Sequence, residues 1–287
     1  MAGLLTVVAD GVAYGMLLFL FSIGLSVTLG LMRFINLAHG AFAMCGGYAA
    51  VMLMNAAGVP FLLTLPAAFV ITGVIGVISE KAVIKHLYRM PELQQVLFSI
   101  GMAFAASALA VIIFGPQQQP VLLPDWLTGR VDLLGLEITG YRIFLVVCGL
   151  IAAVLLIALF NYTLFGAKVR ASVDNRRTSE GMGINVERLF SITFGLGAAL
   201  AGLGGALAVG FLGLDPTFPF KYLVIVLMVV AIGGPGSIAG SFGAAIFLGV
   251  ADALFKYLVP EIGSFVIYGL LVLMMIFFPR GFAGRTA

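Results

Sequence analysis

Phe190-Ser191-Ile192-Thr193-Phe194-Gly195-Leu196-Gly197-Ala198-Ala199-Leu200-Ala201-Gly202-Leu203-Gly204-Gly205-Ala206-Leu207-Ala208-Val209-Gly210-Phe211-Leu212 carries no charged side chain along its whole length. A helix of about 20 such residues crosses the hydrocarbon core of a bilayer. Its glycines and alanines suit helices that approach each other closely in lipid, where small residues are the usual contact surface. The stretch is read as a membrane span packed inside a bundle.

The rest of the chain has the same character. Of 287 residues, 62% are hydrophobic and 9% charged, and the mean hydropathy is +1.18. A soluble domain carries about 25% charged residues, so a soluble globule is excluded. Glycine, at 37 residues, is in clear excess over ordinary usage; close helix packing and broken helices both draw on it. Cys45 and Cys148 both fall in apolar stretches and build neither a disulfide framework nor a zinc site.

Apolar runs place spans at 11–31, 37–56, 60–79, 95–114, 143–161, 190–212, 218–232, 242–258 and 265–278, the seventh and ninth being short for a bilayer. The expectation is one all-α polytopic membrane domain over 1–287 with eight or nine transmembrane helices, some broken or re-entrant. No basic residue precedes Arg33, so no cleaved signal peptide is read. With the N-terminus outside and the C-terminus cytoplasmic, Arg33, Lys81, Lys85, Arg89, Lys168, Arg170, Arg176, Arg177, Arg188, Arg280 and Arg285 fall inside, and Arg130, Arg142, Lys221 and Lys256 outside. This bias obeys the positive-inside rule. Residues 115–141, with Pro116, Pro120, Pro124 and Trp126, form the long outer loop.

Ion-coupled carriers keep ionisable residues inside their spans. Asp252 is the one acid well inside an assigned span, and Lys256 follows at i, i+4; the pair reads as an ion pair near the outer interface. The work of transport must then come from elsewhere. The longest polar cytoplasmic stretch, about 163–188, has helical composition and ends near Gly181 and Gly183, as a short helix on the membrane surface would. A plain positive-inside anchor is the alternative, and charge alone does not separate the two.

Two further stretches stand out. Asn36 is placed to cap the second span, with His39 three residues on meeting another free backbone group; the alternative sets both, with Gly40, on the inner mouth of a substrate path. Gly233-Gly234-Pro235-Gly236-Ser237 interrupts any helix, either as a tight cytoplasmic turn or as a broken helix lining the path.

The order Asn36-Leu37-Ala38-His39-Gly40, Arg170-Ala171, Asp174-Asn175, Gly183-Ile184-Asn185, Asp215-Pro216 and Ile232-Gly233-Gly234-Pro235-Gly236-Ser237, together with the glycine-rich span, resembles the permease subunit of bacterial branched-chain amino-acid ABC importers. The resemblance covers most of the chain. It implies that Arg170, Ala171, Asp174, Asn175, Glu180 and Gly183 belong to a coupling segment docking on a cytoplasmic ATPase. It sets Asn36, His39, Gly40, Gly233, Gly234 and Ser237 as candidates for the path or its gate. Arg170-Ala171-Ser172 departs from the Glu-Ala-Ala start of the general importer segment, and Ser179 stands where relatives usually carry alanine.

The partners implied are two ATPase subunits, a second permease chain of paralogous sequence and a periplasmic binding protein, in the bacterial inner membrane. ATP and Mg would be used by the ATPase, with no cofactor on this chain and no nucleic acid. Branched-chain or other hydrophobic amino acids are the expected cargo; urea, short amides or small aromatic acids are the alternative. An enzyme is excluded as far as motifs go: there is no Gly-x-x-x-x-Gly-Lys-Ser/Thr and no His-Glu-x-x-His. A passive channel for a small neutral solute suits uncharged spans but gives no reason for the 163–188 segment.

Overall fold

A computed structural model describes residues 2–32, 34–88, 90–121, 123–133 and 136–277. The chain runs α1 (Ala2–Met32), α2 (His39–Ala57) and α3 (Phe61–Ser79), which continues through a π-helical turn (Glu80–Ile84) into α4 (Lys85–Leu87). There follow α5 (Glu92–Phe114), the one-turn α6 (Asp125–Thr128), the antiparallel hairpin β1 (Arg130–Leu133) and β2 (Leu136–Thr139), and α7 (Gly140–Tyr162). The second half holds α8 (Leu164–Asp174), α9 (Arg176–Gly181), α10 (Val186–Leu212), α11 (Phe218–Lys221), α12 (Leu223–Gly233), α13 (Ile238–Leu258) and α14 (Gly263–Phe277).

Among the described residues, 7 helices are long and apolar enough to cross a membrane, and Phe218–Gly233 and Phe265–Met274 are shorter apolar helices. The reading of eight or nine spans thus divides into seven of full length and two that fall short. The boundaries shift where hydropathy is a poor guide. α1 begins well before residue 11 and takes in Asp10, and the third apolar helix runs on to Leu87 rather than stopping at 79.

The glycine-rich span is the hub. α10 packs on α1, α2 and α3 and is buried along most of its length. Three of its glycines meet backbone: Gly197 lies on Gly24 of α1, the Gly202 backbone on Gly46 of α2, and Gly205 under the Ala43 carbonyl, while Gly195, Gly204 and Gly210 make room for neighbouring side chains. A Cβ at Gly24, Gly46 or Gly205 has no room. In lipid, where burying apolar surface adds no driving force between helices, this backbone-to-backbone packing is what holds a bundle together. α1 is the second buried helix; Gly11 and Gly15 let it lie along α13.

The ends of the helices sort into two sets. At one end Glu80 meets Ser191 at the start of α10, Arg170 of α8 donates to the Phe160 carbonyl at the end of α7, and Gly236 packs on Gly30 near the end of α1. At the other, Asp10 is paired with Arg142, Gly3 lies beside Tyr257, and Lys256 Nζ is 2.7 Å from Asp252 Oδ2. The first set carries Lys81, Lys85, Lys168, Arg170, Arg176, Arg177 and Arg188, as the charge bias requires. Arg33, Arg89, Arg280 and Arg285 lie outside the described residues.

Lys221, expected on the outer side, is elsewhere. Its short helix sits deep beside α1, with the Phe218 ring 5.6 Å from that of Phe21 and the Tyr222 ring 6.0 Å away. Phe21 is the middle of the apolar stretch 11–31. The chain leaving α10 therefore turns back into the bundle before α11 begins, which hydropathy alone does not reveal.

Candidate functional site

Residues 163–188 were expected to form one surface helix and form two. α8 starts at Thr163, whose side chain accepts from Gly166 N–H, and stops at Asn175, where the backbone turns extended (φ −151°, ψ 97°). The Asn175 side chain then caps α9, its Oδ1 accepting from Thr178 N–H at 2.9 Å. An asparagine that ends one helix and caps the next makes a rigid elbow. Gly183, at φ +82°, reverses the chain into Asn185, whose Oδ1 accepts from Arg188 N–H at 2.9 Å and caps α10. Only glycine takes that φ without strain. Gly181, also expected to end the helix, is the last residue of α9 but keeps negative φ.

The elbow has two faces. Gly166, Val169 and Ser172, spaced by three, are buried against the bundle, as is Ser179. Ala171, Asp174, Asn175, Arg177, Glu180 and Gly183 are exposed. Val173 and Met182 join them as exposed apolar side chains. Arg176 pairs with Glu180 at 2.8 Å on the same surface. Arg170 extends along the bundle to the Phe160 carbonyl, so it ties the elbow to α7 rather than standing free.

At the same end lies a group that sequence reading assigned to a charged connection. Glu80 is 2% exposed, on the π-helical turn. Its carboxylate accepts from Ser191 Oγ at 2.5 Å and from Tyr88 Oη at 3.0 Å. Burial first, and then the Glu80 carboxylate, push the Tyr88 phenol above its ordinary pKa, so it stays a donor. Asp252 is therefore not alone among acids within the apolar helices; Asp10 and Glu80 accompany it. The wider turn was the missing signal, since it keeps a helix going through residues whose composition reads as loop.

Residues 34–38, between α1 and α2, are not helical, yet Phe34, Asn36 and Ala38 are buried and Ile35 and Leu37 half-buried. Their amides are satisfied from afar: Ile35 N–H donates to Gln95 Oε1 (3.3 Å) and Leu37 N–H to Ser99 Oγ (3.1 Å), both on α5. Unwound backbone at membrane depth is tolerated where protein supplies its hydrogen bonds. Asn36 does not cap α2. The N-cap position is Ala38, and Asn36 Oδ1 accepts from the Ala38 N–H at 3.1 Å inside the unwound segment. His39 and Gly40 are the first residues of α2. His39 is 3% exposed, and its Nε2, like Asn36 Nδ2, has no hydrogen-bond partner among the described residues. With Phe21, Leu25, Phe218 and Tyr222, His39 and Gly40 wall a cavity of about 10 Å³, room for about one water; Asn36 is not among its lining residues.

Gly233, Gly234 and Ser237 are not at that place. They form the turn joining α12 to α13, with Ser237 capping α13 through Gly240 N–H at 3.0 Å. Gly236 N–H donates to the Ser26 carbonyl at 2.9 Å and Ser241 Oγ meets Ser26 Oγ at 2.9 Å, so the turn is bolted to α1. Of the two readings offered by its composition, the tight turn is the one observed. Among the described residues no group of His, Cys, Asp and Glu is placed to hold a metal ion.

A family model described as "Branched-chain amino acid transport system / permease component" matches residues 7–275. The high-affinity branched-chain amino acid transport system permease protein LivH of Escherichia coli (strain K12) is 28% identical over 96% of this chain and 94% of its own length. BraD of Pseudomonas aeruginosa, a permease protein of the same description, is 27% identical over 96% and 94%. LivM, a second permease protein of that system in Escherichia coli (strain K12), is 25% identical over 94% of this chain and 68% of its own. No solved structure matches the chain.

Proposed function

The chain belongs to the branched-chain amino acid transport permease family, and from that membership we propose that it is the membrane-spanning subunit of an ATP-binding-cassette importer. It sits in the inner membrane of a bacterium, and its cargo, a branched-chain or other hydrophobic amino acid, is handed over outside by a periplasmic binding protein. Two ATPase subunits supply the energy with ATP and Mg. That LivH and LivM of one organism are both permease proteins of one system supports a second, paralogous permease chain as its partner.

The observation that carries this reading is the α8–α9 elbow. It is anchored on its buried side by Gly166, Val169, Ser172 and Ser179, and it presents Ala171, Asp174, Asn175 and Glu180 with the apolar Val173 and Met182 to the outside. A polar-rimmed apolar surface on a capped, rigid support is what a docking element needs. Its exit leads through Gly183 and Asn185 straight into α10, the helix at the centre of the bundle. Movement imposed on the elbow is delivered to the hub. Asn36, His39 and Gly40, where α2 begins inside the bundle, are the gate-side residues of the path; Gly233, Gly234 and Ser237 belong to the separate α12–α13 turn, which Gly236 and Ser241 hold against α1.

Replacing residues 170–183 by a flexible Gly-Ser linker tests the assignment. Membrane insertion stays intact, while uptake and recovery of the ATPase with the purified permease are lost. Continued co-purification of the ATPase with the linker variant overturns the coupling role.

A further inference from the structure

The helix formed by α11 and α12 starts beside Phe21, halfway along the apolar stretch of α1, and Pro219 is pressed against Gly40 at the start of α2. At that depth the exposed face of the helix carries a polar and a charged side chain beside an apolar one. Thr217, Lys221 and Val224 recur at helical spacing and are all exposed, the Lys221 side chain by 51%. Asp215 stands just before the helix. Its Oδ1 accepts from Thr217 N–H at 2.8 Å, which leaves Oδ2 turned to Lys221 Nζ at 3.9 Å.

A charged side chain deep in a membrane protein faces the bundle interior, a partner or a watery path, and not lipid. At 3.9 Å the pair is at the outer limit of an ion pair and each member keeps capacity for another partner. An α-amino acid is a zwitterion, and its two charges call for one cation and one carboxylate side by side. Phe220 and Val224, flanking Lys221 on α11 and α12, are apolar surface for an aliphatic side chain, and Phe104 of α5 closes on Phe220 with ring centroids 4.5 Å apart.

We propose that Lys221 and Asp215 form a zwitterion-binding point on the wall of the translocation path, where this chain faces its second permease chain. Lys221 Nζ takes the carboxylate of the amino acid and Asp215 Oδ2 its ammonium. The inference rests on the permease reading above and adds the place and chemistry of cargo binding within the spans.

The test uses the complete transporter reconstituted in liposomes, with Cys45→Ser and Cys148→Ser as background. Lys221→Cys reacts with a charged, membrane-impermeant methanethiosulfonate at least ten times faster than Ile151→Cys, which lies on an exposed apolar stretch of α7, and L-leucine, supplied far above the raised KM expected of a Lys221 variant, slows that reaction several-fold. In parallel, Lys221→Met and Asp215→Asn each raise KM for L-leucine uptake tenfold or more at little cost in ATP hydrolysis. Asn keeps the acceptor for Thr217 N–H, and Lys221→Arg restores most of the affinity. Labelling no faster than at Ile151→Cys places Lys221 against lipid or protein and overturns the proposal; so does labelling that L-leucine leaves unchanged. Protection by L-leucine with uptake that is independent of ATP would leave the binding point standing and remove the ATPase reading instead.

Discussion

Glu80 shows how much one side chain can alter the reading of a chain with so few charges. Its carboxylate is held by two neutral donors, Tyr88 just beyond the third apolar helix and Ser191 in the second turn of α10, the latter joining the two helices. Removing the acceptor leaves Ser191 Oγ with the Glu187 carbonyl at 3.1 Å and Tyr88 Oη with only the weakly accepting Met32 sulfur at 3.5 Å, a loss of up to about 1–3 kcal/mol where a buried group ends unsatisfied. Glu80→Leu is therefore expected to lower the thermal stability of the purified chain by several degrees, while Glu80→Gln, which can still accept from Tyr88 and donate to Ser191, stays close to the unchanged protein. Equal stability of the two variants would refute the role given to this carboxylate. Composition concealed the residue, because Glu80, Lys81, Lys85 and His86 follow one another as a cytoplasmic connection would. Asp252 was legible for the opposite reason: its partner is four residues away on the same helix, and i, i+4 spacing is local information.

At the scale of elements, the spans could be located by hydropathy because lipid leaves a backbone no other way to satisfy its hydrogen bonds. The starting points of α2 and α11 could not. Both lie inside the bundle, and the unwound segment before α2 is permitted by Gln95 and Ser99, some 60 residues further on, a tertiary fact with no local signature. Asn175 is intermediate. Its type announces a cap, but a single asparagine in a basic stretch does not say whether it starts a helix or divides one. The glycines divide in the same way between those that face a neighbour and those that do not. Gly202→Leu, at a site filled by Thr72 of α3 and the backbone of α2, is expected to cost more than about 3 kcal/mol and to prevent accumulation of folded protein. Gly243→Ala on α13, where nothing lies within 4 Å, is expected to be neutral or to raise stability by up to about 1 kcal/mol. Denaturation of the two variants in a common detergent distinguishes them, and a severe loss in Gly243→Ala would contradict the packing described.

For the whole molecule the question is where energy enters. Apart from Glu92 and Glu187, exposed in the first turns of α5 and α10, the acids within the apolar helices are engaged: Asp10 with Arg142, Glu80 with Ser191 and Tyr88, Asp252 with Lys256. None is poised as the exchangeable site of an ion-driven carrier. Uptake by cells carrying the complete transporter is expected to stop on ATP depletion and to persist when the proton gradient is collapsed with ATP maintained. The reverse result would remove the importer assignment and make Asp252 the first residue to substitute.

The meeting of Gly24 with Gly197 bears on how such a molecule can move at all. Contacts made by side chains can be exchanged for others by a change of rotamer, so helices joined in that way can shear past each other in small steps. Where two main chains touch, there is nothing to exchange. α1 and α10 are thereby joined as one beam, so that whatever displaces the start of one would carry the other with it.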